Sequence, residues 1–284
     1  MKIITMTQIG AKRGGRFGNQ IFNYAFLNLY ATYYQLKIET SPWVGQYLFD
    51  LKDPPVTHHF PSITKDDVNI DQLFKSQKPP HYNVDFRGHF HFHTSYYQPF
   101  KNQFISLFQP GQYVHKTVYP VLQRRKRLNQ SWIGIHIRRG DYAKYRNHPN
   151  HWIAPTAWYL RWLEVVWPTL KNPVLFIASD DLTNILPEFR RYSPITSKEI
   201  IPNFHLDVPS KLDASIYPDY FLLTQCDFLA ISNSTFSYSA SMLNSNAKVF
   251  VRPDPHKRKL VTYDPWNSNT HLKNSYPSAN KGQD

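Results

Sequence analysis

Cysteine is almost absent from this chain of 284 residues: Cys226 is the only one, so no intrachain disulfide can staple the fold. That usage fits a reducing compartment, and its apolar surroundings make Cys226 a core residue rather than a reactive thiol. Long apolar runs are missing too, and none approaches the ~20 residues needed to span a bilayer. Residues 1–8 have a strand-like pattern containing Lys2 instead of the apolar core of a signal peptide. The protein is therefore expected in the cytoplasm, free or attached peripherally to a membrane face through its basic surface. No Asp-x-Asp pair occurs anywhere, so the clustered carboxylates that usually hold a metal on a diphosphate are lacking. Neither the dinucleotide glycine fingerprint nor the Gly-Lys-Ser/Thr ending of a Walker loop is present, and no internal repeat is visible.

What is abundant is positive charge. Lys plus Arg outnumber Asp plus Glu by 33 to 20, a formal net charge of +13. Such a surface draws polyanions, nucleotides or anionic head groups, and says nothing of fold. The basic residues are scattered, apart from Arg124-Arg125-Lys126-Arg127, which reads as a solvated linker or helix end. Specific nucleic-acid binding is accordingly disfavoured. The length suits two domains, placed at 1–128 and 129–284.

The stretch Trp132-Ile133-Gly134-Ile135-His136-Ile137-Arg138-Arg139-Gly140-Asp141-Tyr142 is an apolar strand ending in groups that grip anions. Ligands of open parallel sheets sit beyond the carboxyl ends of the strands, where these charges fall. Strand alternation puts His136 and Arg138 on one face, Ile137 and Arg139 on the other. Arg138 is expected to meet the ligand, and Arg139 to pair with a carboxylate behind the sheet.

Around this stretch the second half alternates strands and helices: strands at 132–137, 174–178, 227–231 and 248–251, helices at 155–167, 182–189, 217–225 and 236–243. That order implies a parallel sheet covered on both faces. The first half opens with a strand at 2–8, a glycine loop at 10–20 and a helical apolar period from Ile21. A loop of this kind can hold backbone close to a phosphate or sugar, but its spacing fits neither the dinucleotide nor the Walker pattern and by itself is a weak signal. From 42 to 110 prolines and aromatics dominate and no long helical period appears. His89, His91 and His93 alternate as along one face of a strand, without an acidic or cysteine ligand nearby to complete a metal set. The tail from about 270 is polar and expected to be mobile.

Three further strand ends converge on the arginine cluster. Asp180 and Asp181 leave an apolar strand and are suited to a ribose or base, with helix capping the alternative for one of them. Asp219 lies in an apolar segment, where it either accepts from a base edge or pairs with a buried cation. The run Ser232-Asn233-Ser234-Thr235-Phe236 joins strand to helix. There, free amides and small hydroxyls make a cradle for a pyrophosphate, while capping by Ser232 or Asn233 explains only one of these residues. An arginine, a histidine, acceptor carboxylates and a helix start together describe a nucleotide diphosphate site.

These motifs, with Gly15-Arg16-Phe17-Gly18-Asn19-Gln20-Ile21-Phe22-Asn23-Tyr24-Ala25, His136 to Tyr142, Ser179-Asp180-Asp181 and Ile231-Ser232-Asn233-Ser234-Thr235-Phe236, occur in an order that resembles the α-1,2-fucosyltransferases, within a wider group containing the α-1,6- and protein O-fucosyltransferases. The resemblance implies an α/β protein of GT-B type, with two Rossmann-like domains facing a cleft. It further implies inverting, metal-independent transfer from GDP-β-L-fucose to the 2-hydroxyl of a terminal β-galactoside, the first domain on the acceptor side and the second binding the donor. It places Arg138 on the diphosphate, His136 near guanine or ribose, Asp180 or Asp181 and Asp219 on ribose and guanine, and Ser234 and Thr235 at the phosphates, with Asn233 in the same donor set. Arg139, Phe236, Gly15 and Gly18 belong to the same donor set, and Asn19 lies beside the reacting centre. One departure is plain: where the family has paired tryptophans, this chain has Tyr238-Ser239. The rival readings are fucosyl transfer to another hydroxyl, as in α-1,6 or protein O-fucosylation, and a non-enzymatic polyanion binder.

Overall fold

The computed structural model describes residues 2–11, 14–125, 129–145 and 148–274. The chain forms two compact units, Met1–Pro120 with Phe204–Ile216, and Val121–Asn203 with Tyr217–Asp284. The passage between them falls inside the helix Gln112–Arg125, ahead of the 128/129 boundary that sequence patterning suggests. The segment 204–216 returns to the first unit, where the Tyr113 hydroxyl donates to the His205 carbonyl. No local pattern announces such a return, because it depends on contacts ninety residues apart. Lys12, Arg13 and the 126–128 end of the basic run lie outside the described residues.

In the first unit, β1 (Ile3–Met6), β2 (Lys37–Thr40), β3 (Ser62–Ile63) and β4 (Val84–Phe86) make a parallel sheet in the order β2-β1-β4-β3. All four residues of β1 are buried, as a central strand requires. The helix Phe17–Tyr34 packs an aromatic face on it, with Phe26 stacked on Phe90 at 4.4 Å and edge-on to Phe86 at 5.1 Å. Burying each such ring stabilises the unit by roughly 2–3 kcal/mol. The expected strand through His89, His91 and His93 does not form. These residues run as irregular backbone, with His93 capping a short turn at Thr94–Tyr96.

In the second unit, β5 (Ser131–Ile137), β6 (Pro173–Ser179), β7 (Phe228–Ala230), β8 (Val249–Asp254) and β9 (Lys259–Thr262) form a sheet in the order β6-β5-β7-β8-β9. The first four are mutually parallel and β9 turns back antiparallel on β8. β5 is flanked on both sides, and Ile133, Ile135 and Ile137 are at most 1% exposed, which explains its nearly unbroken apolar run. Cys226 is buried against Gly134 of that strand, as its apolar setting suggests. The helix Thr156–Val166 covers one face, with Tyr159 and Leu163 fully buried. Residues 270–274, expected to be mobile, are held: the Trp152 indole donates to the Leu272 carbonyl at 2.8 Å and Thr270 is buried. Residues 275–284 lie outside the described residues.

Candidate functional site

Parallel pairing sets the site. His136 is in register with Ala178 and Ile137 with Ser179, while Ile135 pairs with Ala230, so the carboxyl ends of β5, β6 and β7 finish side by side. Residues 138–141, 180–181 and 231–235 therefore meet along one edge of the sheet, as the sequence suggests.

The two arginines part as alternation requires. Arg138 stays at the edge, its side chain 14% exposed, with Nη1 2.8 Å from Asp180 Oδ2 and Nη2 on Asp141 Oδ1. Its guanidinium lies 5.5 Å from the Tyr142 ring centre. Arg139 points behind the sheet, but not to a carboxylate. Nη1 donates to the Ala154 carbonyl and Nη2 to the Thr156 hydroxyl, each at 2.8 Å, and only through Thr156 does Glu188 take part, at 3.2 Å. Arg139 thus reaches the edge by its backbone N–H alone, which donates to Asp180 Oδ1 at 2.8 Å. Asp180 binds both arginines, and a Cβ on Gly140 would fall 2.1 Å from its Oδ2, so only glycine allows this approach. Asp181 sits at the N-cap of Leu182–Ile185, its carboxylate accepting from Asn184 at 2.7 Å rather than from a cap amide.

The loop at 231–234 is held at nearly every polar atom. Tyr159 donates to the Ile231 carbonyl and Tyr142 to the Asn233 carbonyl, both at 3.1 Å. His136 Nδ1 meets the Ser232 hydroxyl at 2.7 Å. Burial lowers the His136 pKa to about 4, so the ring is neutral at physiological pH and supports the loop from below, 5.2 Å from the Phe236 ring. Asn233 Nδ2 donates to the Asn150 and Leu272 carbonyls at 2.8 and 3.0 Å, and Leu272 N–H donates back to its Oδ1 at 2.9 Å. The cap of the helix Thr235–Leu243 is Ser234, whose hydroxyl accepts from Phe236 N–H at 3.3 Å; sequence reasoning gave that duty to Ser232 or Asn233. Both of those are engaged elsewhere.

Behind this loop lies Arg252 on β8, which sequence reasoning did not single out. It is 3% exposed, donates to the Asn269 carbonyl and, at 3.4 Å, to Asn233 Oδ1, and lies 5.4 Å from each of the Tyr238 and Tyr263 ring centres. Tyr238 is itself buried and donates to the Pro265 carbonyl, and Ser239 accepts from the Tyr220 hydroxyl. The Tyr238-Ser239 departure therefore serves core packing around an arginine.

Asp219 stands in the first turn of Tyr217–Leu223. Desolvation raises its pKa to about 6, against a hydrogen bond from Ser197 and the nearby Lys198 charge. Its Oδ1 is buried without a hydrogen-bond partner among the described residues. Such an atom invites a donor.

In the first unit, Gly15 has φ +82°, and a Cβ there would fall 2.3 Å from Asn19 Nδ2 and 2.6 Å from His89 Cε1. Its backbone thus touches both side chains. Asn23, fully buried, pins the loop: Nδ2 donates to the Gly88 and Gly14 carbonyls at 2.9 and 3.3 Å, and Oδ1 accepts from Phe90 N–H at 2.9 Å. Gly18 is buried at the start of the helix. Among the described residues no three His, Cys, Asp or Glu side chains group as a metal would require, and that holds for the three histidines.

Two α/β units built on largely parallel sheets, one of them presenting an arginine and a helix start at its carboxyl edge, give the chain a fold of the GT-B class. The chain belongs to glycosyl transferase family 11, whose model matches residues 6–259. It is similar to the α-1,6-fucosyltransferase NodZ, in a structure soaked with GDP-fucose, with a TM-score of 0.54 over 93% of this chain and 99% of that one at 14% identity. It is 26% identical over 167 residues to galactoside alpha-(1,2)-fucosyltransferase 1 of Alouatta belzebul, covering 55% of this chain and 42% of the relative. The same identity over 144 residues links it to the O-antigen biosynthesis glycosyltransferase WbnK of Escherichia coli, covering 49% of this chain and 44% of the relative. The matched stretch is thus under half the length of each of these curated relatives.

Proposed function

We propose that the protein transfers L-fucose from GDP-β-L-fucose to the 2-hydroxyl of a terminal β-galactoside, with inversion and without a divalent metal. The observation that carries this reading is Arg138, fixed by Asp141 and Asp180 at the carboxyl edge of the sheet beside the start of the helix Thr235–Leu243. As the bond from C1 of fucose to the β-phosphate oxygen breaks, negative charge grows on the diphosphate. Unused guanidinium N–H groups of Arg138 and the amides at the helix start are placed to receive it without rearranging. The acceptor oxygen bonds to C1 from the opposite face, and its proton leaves to solvent or a base. GDP departs with the electron pair.

Base selection falls to Asp219. Guanine presents two N–H groups on one edge, and the orphaned Oδ1 is an acceptor for one of them. The neutral His136 and the hydroxyls of Ser232 and Ser234 fix the loop, and Asn19 with Gly15 supplies the acceptor-side loop in the first unit. The α-1,2 linkage is supported by the curated relatives, while NodZ is an α-1,6-fucosyltransferase, so linkage is the point to test.

The assay incubates the protein with GDP-fucose and a panel of galactosides, with and without a chelator, and reads the product linkage by NMR. An α-1,2 product formed equally in the chelator is expected, and Arg138→Ala should lower kcat/KM by about a hundredfold or more. Turnover abolished by the chelator, or an α-1,6 product, would overturn the corresponding part.

A further inference from the structure

Arg138 arrives at the diphosphate site already matched by two carboxylates, Asp141 and Asp180, so the three groups together carry no excess positive charge. Arg139 has its guanidinium turned behind the sheet. A diphosphate bound here would need a further cation, and one lies beneath the loop. Arg252 is almost wholly buried, yet no carboxylate among the described residues lies within ion-pair distance of its guanidinium. Its donors meet only neutral oxygens, the carbonyls of Asn269 and Thr270 and Asn233 Oδ1, and Nε has no partner. Asp254, next on the same face of β8, acts on Arg252 only from beyond ion-pair distance, and directs Oδ1 to the amides of His256 and Lys257 at 2.9 Å. A buried charge with no carboxylate in contact is costly, and is tolerated where something else supplies the opposite charge close by.

We propose that Arg252 is an electrostatic positioning residue for the donor: a buried cation behind the 232–235 loop, out of ion-pair reach of the described carboxylates, whose close counter-ion is the diphosphate of the bound nucleotide. The inference rests on the donor reading above. Arg252 acts in two ways. It hydrogen-bonds Asn233, which ties the loop to 150 and 272, and its field acts on the anion through a buried interior of low dielectric. The Tyr238 and Tyr263 rings, each centred 5.4 Å from its guanidinium, pack around the cation.

The test separates this charge role from simple support of the fold. Wild type, Arg252→Lys and Arg252→Gln are titrated calorimetrically with GDP, guanosine and inorganic pyrophosphate. The lysine keeps the charge, while the glutamine keeps hydrogen-bonding capacity without it. The expected result is that Arg252→Gln binds GDP and pyrophosphate more weakly by on the order of tenfold, the scale of one lost charge near an anion at an effective dielectric of ~20. Guanosine affinity should be unchanged, and Arg252→Lys should keep its GDP-to-guanosine ratio within about threefold of wild type. Equal losses for GDP and guanosine would mean mere support of the loop and overturn the proposal, as would undiminished GDP binding by Arg252→Gln. If the glutamine variant fails to fold, the lysine variant decides: a collapsed GDP-to-guanosine ratio refutes the charge role, and a retained one supports it. Wild type that binds pyrophosphate but shows no gain from guanosine would sink the donor reading and leave Arg252 standing; wild type that binds neither anion sinks both.

Discussion

Asp219 and Gly140 are the residues whose substitution reports most directly on the site. The raised pKa of Asp219 means the folded state prefers the protonated acid. Its stabilising contribution is whole below the unfolded value near 3.8 and disappears as pH rises through about 6. The separation of those two values is worth about 3 kcal/mol. Asp219→Asn should therefore melt several degrees above the wild type at pH 8 and match it near pH 4, measured by thermal denaturation without ligand. With the proposed guanine contact, binding has the opposite sign, since guanine N–H groups would favour the carboxylate: GDP affinity should rise as pH passes from 5 to 7, and lose that rise in Asp219→Asn. Gly140→Ala should displace the Asp180 carboxylate from Arg138 and the Arg139 N–H, weaken GDP binding by about tenfold or more and lower thermal stability as well. Residue chemistry was legible where alternation fixes a face, as for Arg138 and Arg139. It was illegible where a partner comes from far along the chain: nothing near Arg139 names Ala154 or Thr156, and nothing near Arg252 reveals that its neighbours are tyrosines and carbonyls rather than acids.

Elements were legible in proportion to their burial. β5, β6 and the helix Thr235–Leu243 follow from apolar periodicity alone, because both faces of the sheet are covered. β9 and the 264–274 segment escaped notice because their order comes from pairing with β8 and from Asn233, Trp152 and Arg252, not from composition. The histidine alternation misled, since period-two spacing arises equally in loops pinned by side chains, and here Asn23 holds the 88–90 backbone. Asn23→Leu, close in size and unable to hydrogen-bond, should leave three backbone groups without their partner and cost about 2–4 kcal/mol. Chemical denaturation measures that loss, and a loss under about 0.5 kcal/mol would show the clip to be dispensable.

Across the whole molecule, the excess of positive charge acts on encounter rather than on fold. Association of GDP-fucose, followed by stopped-flow fluorescence, should slow severalfold between about 20 and 200 mM salt, with dissociation changing less. The chain passes between its two units at 120/121, 203/204 and 216/217. A fragment ending at residue 120 consequently lacks 204–216, and should express less stably than the full chain.

The antiparallel return of β9 leaves a further mark on how the protein behaves in a crowded solution. Without it, β8 would offer a row of open amides and carbonyls to any extended peptide. Instead the outermost strand is four residues long, opens on Lys259 and follows an exposed His256-Lys257-Arg258 corner, so that two such rims repel before they can zip together. Self-assembly into fibrils is discouraged at the margin where a mostly parallel sheet is most vulnerable to it.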